Sequence, residues 1–434
     1  MNPVGPVVIV GGGAGGLELA AKLGRRFGPE SVYLVDKDDD HIWKPSLHEV
    51  AAGTLDIHRE GLSYFMLARD NGFTFIPGKM LGLDRTQKSI RVAAVQNSLG
   101  DEIFPERDIH YGTLVLAVGS KSNFFNTPGA EAHAITLDST KQAERFRLRL
   151  LHELTRTVRQ SEQRAQHEPL KIAIVGGGAT GVELAAELME ASASLRSYGM
   201  NTLDPARDVK ISLLEGADRV LSALPPKLSH RATQLLRDRG VSVYTSVRVT
   251  EVSQYALLDS NGKEYVVDLC VWAAGIQAPK FLTQLGLETN RINQIVVDSR
   301  LRTEDPNIFA LGDCAQAPWG DDEYLPARAQ VAHQQATYLL NVFSQRLKGQ
   351  VVTDRPFEYK DYGSLVSVGH SKGVGSLMGV LQGKSWFVEG IVARTMYMSL
   401  HLMHHMAVLG WLRTASMAIG RLFMKRSAPR VKLH

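Results

Sequence analysis

Cysteine is scarce: the 434 residues contain two, Cys270 and Cys314, far apart and in no CxxC pair. That spacing speaks against a disulfide framework and makes a reducing interior the expected surroundings. No run of about eighteen apolar residues occurs, so a membrane-spanning helix is not expected. No charged stretch followed by an apolar one precedes the first strand, so no signal peptide is expected either. A basic stripe interleaved with aromatics is also missing, which sets nucleic acid aside as a partner. Acid is missing locally. The net charge is only +4, yet from Thr395 to His434 there is no Asp or Glu at all.

Glycine, by contrast, is plentiful, at 39 residues in a chain that is 44% hydrophobic and 22% charged. The length suits two or three globular domains. Many of the glycines follow apolar strands. Residues 7–18 read Val-Val-Ile-Val-Gly-Gly-Gly-Ala-Gly-Gly-Leu-Glu, and 172–183 read Ile-Ala-Ile-Val-Gly-Gly-Gly-Ala-Thr-Gly-Val-Glu. Each is a buried-strand run, a glycine turn and a helix start. One such fingerprint is weak evidence, but two in register predict two dinucleotides held in one protein.

In the first, Gly11 permits the tight turn, Gly13 lets the backbone approach a pyrophosphate and Gly16 lets helix pack on strand. The amides of Gly13, Ala14 and Gly15 and the positive end of the helix then face phosphate. A second strand, 31–35, ends at Asp36, twenty residues beyond Gly16, the offset of an acid that hydrogen-bonds ribose hydroxyls. In the second, Gly176, Gly178, Thr180 and Gly181 repeat the turn, and strand 209–214 ends at Glu215. That acid stands 34 residues beyond Gly181, a displacement that an extended helix plus loop through Asp208 would supply. A carboxylate there favours a free 2′-hydroxyl, and so NADH over NADPH, although Arg219 lies near.

Between the fingerprints, the acids Asp38, Asp39 and Asp40 read as a solvated loop rather than a metal cluster. Trp43 and Lys44 lie where the chain turns back toward the first nucleotide. Residues 73–107 read as a small β insertion, and strand 113–118 ends at Gly119. A helical period over 141–164 puts Phe146, Leu150, Leu151, Leu154 and Val158 on one face. The strand ending at Gly275 is the counterpart of the one ending at Gly119. Strand 308–311 delivers Gly312 and Asp313 to the carboxyl edge of a sheet, where open α/β sheets bind ligands. The segment Ala329-Gln330-Val331-Ala332-His333-Gln334 opens a helix that its alanines would also pack closely.

The tail carries strands over 365–381, then Arg413, Arg421, Lys425, Arg426, Arg430 and Lys432. Leu412, Ala415, Ile419, Leu422 and Phe423 recur at helical spacing beside Trp411. An apolar face with a cationic polar face suits a helix lying on an anionic bilayer, and a basic dimer or core helix is the alternative. Met396, Met398, Met403 and Met406 with His401, His404 and His405 are read as packing and interface residues, not a metal site.

Together these features resemble the two-dinucleotide flavoprotein fold of the glutathione-reductase type. Within it, Trp43-Lys44-Pro45, Leu47-His48-Glu49-Val50, the 178–183 stretch and Ala329–Gln334 (the pattern AQxAxQ) resemble the bacterial type II NADH:quinone oxidoreductases over essentially the whole chain. Disulfide-reductase cousins need a cysteine pair that residues 36–60 lack, and sulfide:quinone oxidoreductases need several catalytic cysteines.

The resemblance implies an α/β fold with two Rossmann-like domains, an FAD domain at 1–140 and 291–345 and an NADH domain at 141–290 inserted in it. The 346–434 remainder supplies strands and membrane-anchoring amphipathic helices. FAD falls to Gly11, Gly13, Ala14, Gly15, Gly16, Asp36, Lys44, Gly119, Gly312, Asp313, Ala329 and Gln330. NADH falls to Gly176, Gly178, Thr180, Gly181, Glu183, Glu215 and Gly275. Quinone falls to Gln330 and Gln334. Gln330 and Glu183 carry the catalytic roles, although an acid near a helix start also suits its dipole.

The implied reaction passes two electrons from NADH through FAD to a quinone without proton pumping, at the cytoplasmic side of the inner membrane. The protein is then peripheral, held by residues from about 390 to 434, with homodimerisation left open. The alternatives are a soluble NADH:ferredoxin-type reductase and a flavin-binding redox sensor with little turnover. Removing the chain beyond about Gly390 is expected to free the protein from membranes and leave NADH-to-dye activity largely intact.

Overall fold

The computed structural model describes residues 5–163, 168–196, 202–320, 323–352, 354–368, 373–378, 385–389, 391–427 and 431–432. Of the tail residues named above, Gly390 and Arg430 lie outside that set. So do the side chains of Met396, Met398, Arg421, Leu422, Phe423, Lys425 and Arg426.

Two parallel sheets organise the chain. The first has the strand order Ile308–Ala310, Thr113–Leu116, Val7–Val10, Val32–Asp36, Thr74–Pro77. The second has the order Ser242–Tyr244, Val209–Leu214, Leu170–Val175, Leu269–Trp272. Their central strands are continuous apolar runs because helices cover both faces, so alternation is absent. All four residues of Val7–Val10, Thr113–Leu116 and Leu269–Trp272 are buried. Truncating one of these side chains, as in Ile9→Ala, leaves a cavity that costs roughly 2–5 kcal/mol.

Each sheet's central strand feeds a helix through its glycine turn, α1 (Ala14–Phe27) in the first sheet. Leu17, Leu19, Ala20, Ala21 and Leu23 bury one broad face of α1, and Gly28 ends it at φ +80°. A short helix, α2 (Leu47–Ala52), follows the second strand. The β insertion begins later than the sequence suggests, because Thr74–Pro77 pairs in register with Tyr33–Asp36 as the edge of the first sheet. An apolar run there serves a parallel edge as well as it would an insertion. The antiparallel sheet proper comprises Met80–Asp84, Ser89–Val92 and Arg107–His110.

Helix α3 (Thr140–Gln163) leads into the second sheet, with Phe146, Leu150 and Leu154 fully buried. Its turn feeds α4 (Ala179–Leu195), and past the first sheet's last strand stands α5 (Ala329–Leu347). The tail forms a three-stranded antiparallel sheet of Ser364–Ser367, Gly373–Met378 and Ser385–Glu389. Two helices follow, α6 (Ile391–Leu409) and α7 (Trp411–Ser427), joined at Gly410 with φ +81°.

The helices α6 and α7 differ in setting. On α6, His404, His405 and Val408 are buried. Arg25 of α1 donates to the carbonyls of Ala407, at 2.7 Å, and Val408, at 3.4 Å, closing the orphan acceptors at the α6 C-terminus. Arg413 at the start of α7 pairs with Asp70. Thus α6 is packed onto the first unit, whereas α7 leaves Trp411, Leu412 and Ile419 at 69%, 63% and 56% exposure. Among the described residues, no helix is long and apolar enough to cross a membrane.

Candidate functional site

The two glycine turns superpose in their chemistry residue by residue. Gly11 and Gly176 take φ of +106° and +111°, backbone that a side chain would strain. A Cβ on Gly16 would stand 2.0 Å from the Gly11 carbonyl oxygen, and one on Gly181 would stand 2.0 Å from that of Gly176. Only glycine lets strand and helix approach so closely. Around Gly13 and Gly178, by contrast, a Cβ would meet nothing within 4 Å. These N-cap residues have no capping side chain, so the first amides of α1 and α4 open onto free space. Free amides at the positive end of a helix suit a pyrophosphate.

The acids close the same way. Asp36 accepts from the Gly12 N–H at 2.6 Å, and Glu215 accepts from the Gly177 N–H at 2.5 Å. Asp36 takes a second bond from Asp38 N–H and Glu215 one from Ala217 N–H. Burial raises the Asp36 pKa above the usual carboxylate range. The displaced spacing of Glu215 therefore reaches the same geometry, through the longer α4 and the short helix Pro205–Asp208.

The strand ends join the two units. Gly119 and Gly275 take φ of +68° and +61°, and just beyond them Lys121–Ser122 pairs antiparallel with Ile276–Gln277. Trp272 Nε1 donates to Asn123 O at 2.9 Å across the same junction.

Asp313 lies beside the first turn. Its carboxylate accepts from Ser120 Oγ at 2.7 Å, while Lys44 Nζ donates to Ser120 O at 2.7 Å. Gly312, at φ +70°, donates its N–H to Gln335 Oε1 at 2.7 Å. Gly15 faces Leu311 and Ala332, so the start of α5 is wedged against the first turn. These contacts bring Gly11, Gly13, Ala14, Gly15, Gly16, Asp36, Lys44, Gly119, Gly312 and Asp313 together about the first turn, with Ala329 at the start of the helix wedged against it. Gly176, Gly178, Thr180, Gly181 and Glu215 form the second turn, and Gly275 follows the strand beside it.

Three predicted residues turn elsewhere. Gln330 donates from Nε2 to Gly363 O at 3.0 Å and to Asp361 Oδ1 at 3.3 Å. Gln334 Nε2 donates to Lys360 O at 2.8 Å, and Lys360 N–H returns a bond to Gln334 Oε1 at 3.0 Å. Both glutamines therefore clasp the 360–363 segment. Glu183 lies past the first turn of α4, which contains no acid, so the helix dipole does not account for it. It is buried, accepts from Ser367 N–H at 3.0 Å and stands 3.5 Å from His48 Nδ1. Burial pushes its pKa up to about 8 against the Ser367 hydrogen bond, with Glu49 and Glu187 adding to the rise, which favours its protonated form near neutral pH.

Other residues of the site were not singled out by sequence. Tyr64 OH and His41 Nδ1 both donate to the Gly12 carbonyl, at 2.7 and 2.9 Å. His41 Nε2 lies 2.9 Å from His404 Nε2 of α6, and the Trp43 ring packs against the same His404 ring with centroids 4.5 Å apart and planes tilted by 34°. Because His41 donates through Nδ1, its Nε2 accepts and His404 donates, so both rings are neutral. Burial lowers the His41 pKa to about 4 and that of His404 below the usual imidazole range. No motif spacing relates positions 41, 64 and 404; only the fold does. Cys270 and Cys314 are buried and free, and burial pushes both thiols up to about 12, which leaves neither as a thiolate. Among the described residues no group of three or more His, Cys, Asp or Glu side chains is placed to hold a metal ion.

Residues 5–336 match the pyridine nucleotide-disulphide oxidoreductase family. The chain is 39% identical to the type II NADH:quinone oxidoreductase of Haemophilus influenzae, with 99% of each chain covered. It is 26% identical to the enzyme of that description from Staphylococcus haemolyticus, over 89% of this chain and 93% of the relative. The fold matches NDH2 from Plasmodium falciparum, solved in complex with NADH, at a TM-score of 0.80 and 18% identity, covering 99% of both chains. The chain belongs to the pyridine nucleotide-disulphide oxidoreductase family and, within it, to the type II NADH:quinone oxidoreductases.

Proposed function

We propose that the protein passes two electrons from NADH through FAD to a quinone, with the overall balance NADH + H+ + quinone → NAD+ + quinol. The observation that carries this reading is the duplicated turn, each with its own open helix N-terminus and its own acid locked onto the second glycine. Two dinucleotides are the ligands such a pair fits.

In this reading residues 1–140 with 291–345 hold FAD and residues 141–290 hold NADH. Gly13, Ala14 and Gly15 receive the FAD pyrophosphate, Asp36 its ribose, and Asp313, with Lys44 and Ser120, the portion near the flavin. Gly178 and Thr180 receive the NADH pyrophosphate and Glu215 the free ribose hydroxyls. The paired segments after Gly119 and Gly275 bring the two ligands' reactive ends toward the same junction. FAD, when bound, supplies the hydride acceptor and the store for two electrons. The open space at Gly13 fits it.

Glu183, held toward its protonated form by burial, accepts from Ser367 N–H and stands beside His48 at the interface of α2 and α4, where it holds a proton. Gln330 and Gln334 fix the 360–363 segment, and Ala329 sets the α5 N-terminus against the first turn. The protein sits on the cytoplasmic face of the inner membrane through α7 and the cationic tail.

The test is spectroscopic. NADH should bleach the flavin absorption of the purified protein, and a short-chain quinone should restore it. Bleaching without recovery by quinone would sink the quinone half. A soluble ferredoxin reductase would instead be reoxidised by a one-electron protein acceptor and stay off membranes.

A further inference from the structure

In both sheets the strand that feeds the glycine turn has two neighbours, one ending at an acid and one ending at a glycine. Strand order puts Asp36 and Gly119 on opposite sides of the first turn, and Glu215 and Gly275 on opposite sides of the second. A dinucleotide with its pyrophosphate on the turn and its adenosine ribose at the acid runs its other half toward the glycine. That half is the flavin side at Gly119 and the nicotinamide side at Gly275.

Here the likeness of the two units stops. A Cβ on Gly119 would meet nothing within 4 Å, whereas one on Gly275 would stand 2.2 Å from Cζ of Phe125. The backbone leading to Gly275 touches the second turn itself, because a Cβ on Gly176 would stand 2.7 Å from the Ala273 carbonyl carbon and the Ala274 nitrogen. Phe125 therefore covers the strand end beside the second turn. It comes from the segment that leaves the first unit after Gly119, through the Lys121–Ser122 pairing with Ile276–Gln277.

The backbone at Phe125 is strained. Its φ is +50° and that of Asn126 is +56°, a left-handed conformation that a bulky side chain rarely adopts. Hydrogen bonds hold the segment in place. Asn123 Oδ1 accepts from Phe125 N–H at 2.8 Å, Asn123 N–H donates to Gly275 O at 3.2 Å, and Trp272 Nε1 donates to Asn123 O at 2.9 Å. Thr127 N–H donates to Phe124 O at 2.8 Å, and the Phe124 ring packs on Trp272 with centroids 5.8 Å apart. Phe124 thus serves the core of the second unit, while Phe125 stays 55% exposed. Core burial does not account for where its ring stands. A strained, firmly held and half-exposed aromatic is the form of a wall set in advance for a ligand.

We propose that Phe125 is the wall of the NADH site on its nicotinamide side, its ring packing against the nicotinamide ring and holding it off the Gly275 backbone. The inference rests on the NADH reading and adds to it a side chain from outside the glycine turn. A flat ring suits nicotinamide, which packs on an aromatic by stacking or edge-on. Adenosine, across the turn at Glu215, lies on the other side.

The test is titration calorimetry on the flavin-loaded protein with two probes, NAD+ and ADP-ribose, which lacks only the nicotinamide ring. Phe125→Ala should weaken NAD+ roughly tenfold and leave ADP-ribose within about twofold of the parent, at unchanged flavin content. Phe125→Tyr keeps the ring and should bind both probes as the parent does. Phe125→Leu still fills the space over Gly275 and should lose several-fold for NAD+ alone, which keeps the test decisive where alanine unsettles the segment. KM for NADH should follow the same order.

Equal weakening of both probes in Phe125→Leu would make the ring a support of the second turn and overturn the proposal. Unchanged NAD+ affinity in Phe125→Ala would overturn it as well. Failure of the parent protein to bind either probe would instead overturn the NADH reading beneath it.

Discussion

At the first glycine turn the Gly12 carbonyl accepts from Tyr64 and His41, and His41 is backed by His404 from a helix more than 360 residues away in sequence. At the second turn the matching carbonyl, on Gly177, accepts from Leu221 N–H within its own unit. The backbone and the acid are the same in both. What differs is the backing: the first turn is completed by the tail and the second is self-contained. A cofactor that stays bound through every cycle needs a rigid seat, while a substrate that leaves each time needs one that releases it.

The largest expected effect comes from the two closest backbone approaches. Gly16→Ala should yield protein purified without flavin. Gly181→Ala should yield flavin-containing protein that NADH no longer bleaches, since each Cβ would meet a carbonyl oxygen at 2.0 Å. If Gly181→Ala also lost flavin, the independence of the two turns would be broken.

Next come the acids. Glu215→Ala removes a charged hydrogen-bond acceptor worth roughly 1.5–3 kcal/mol, so KM for NADH should rise about 10- to 100-fold while flavin content holds. Steady-state kinetics beside the flavin spectrum would show it.

A third effect separates the turns by pH. The folded His41 pKa, lowered to about 4 from its ordinary 6.5, means that the unfolded chain binds this proton more readily. Stability from this group is complete above 6.5 and is lost as pH falls toward 4. Flavin release, followed by fluorescence, should therefore set in over that window. His404→Ala should speed release at neutral pH by several-fold, the worth of one buried hydrogen bond of about 1 kcal/mol, and leave KM for NADH alone. Equal changes at both sites would dissolve the contrast.

The tail belongs to the same comparison. The structure changes what a cut near Gly390 is expected to do to NADH-to-dye activity. The cut removes His404, the carbonyls that Arg25 caps and the cover over α1. Loss of flavin, not only loss of membrane binding, is the expected result in a sedimentation and absorbance assay.

The smallest effect concerns Glu183. Its pKa, raised from 4.5 to about 8, makes it cost stability as pH climbs through that range. Glu183→Gln should raise the melting temperature at pH 9 by a few degrees and change it little at pH 5.

These contrasts also mark what could be read beforehand. Strand, turn, helix and acid lie within about 40 residues of one another, and local spacing encodes them completely, even for the displaced Glu215. The α3 face was legible because 3.6-residue periodicity survives in a helix packed on one side. The edge strand Thr74–Pro77 was absorbed into an insertion because a short apolar run looks alike in either sheet. Gln330 and Gln334 were readable as a pattern but not in direction. Their partners, residues 360–363, come from a segment with no periodicity at all. Tyr64 and His41 had no signal, and His404 was legible only as a packing residue, since nothing local says that a tail histidine reaches the first turn.

The strand order of the first sheet bears on how the molecule is made. Leu114 pairs with Ile308, and the cover over α1 comes from beyond residue 400. The second sheet draws its four strands from residues 170–272 alone. A chain leaving the ribosome N-terminus first can therefore close its inserted unit while the outer one still lacks an edge strand and a lid. Until then the earlier strands stand with apolar faces uncovered, the stretch of synthesis in which a chaperone would matter most. The unit that is begun first is completed last.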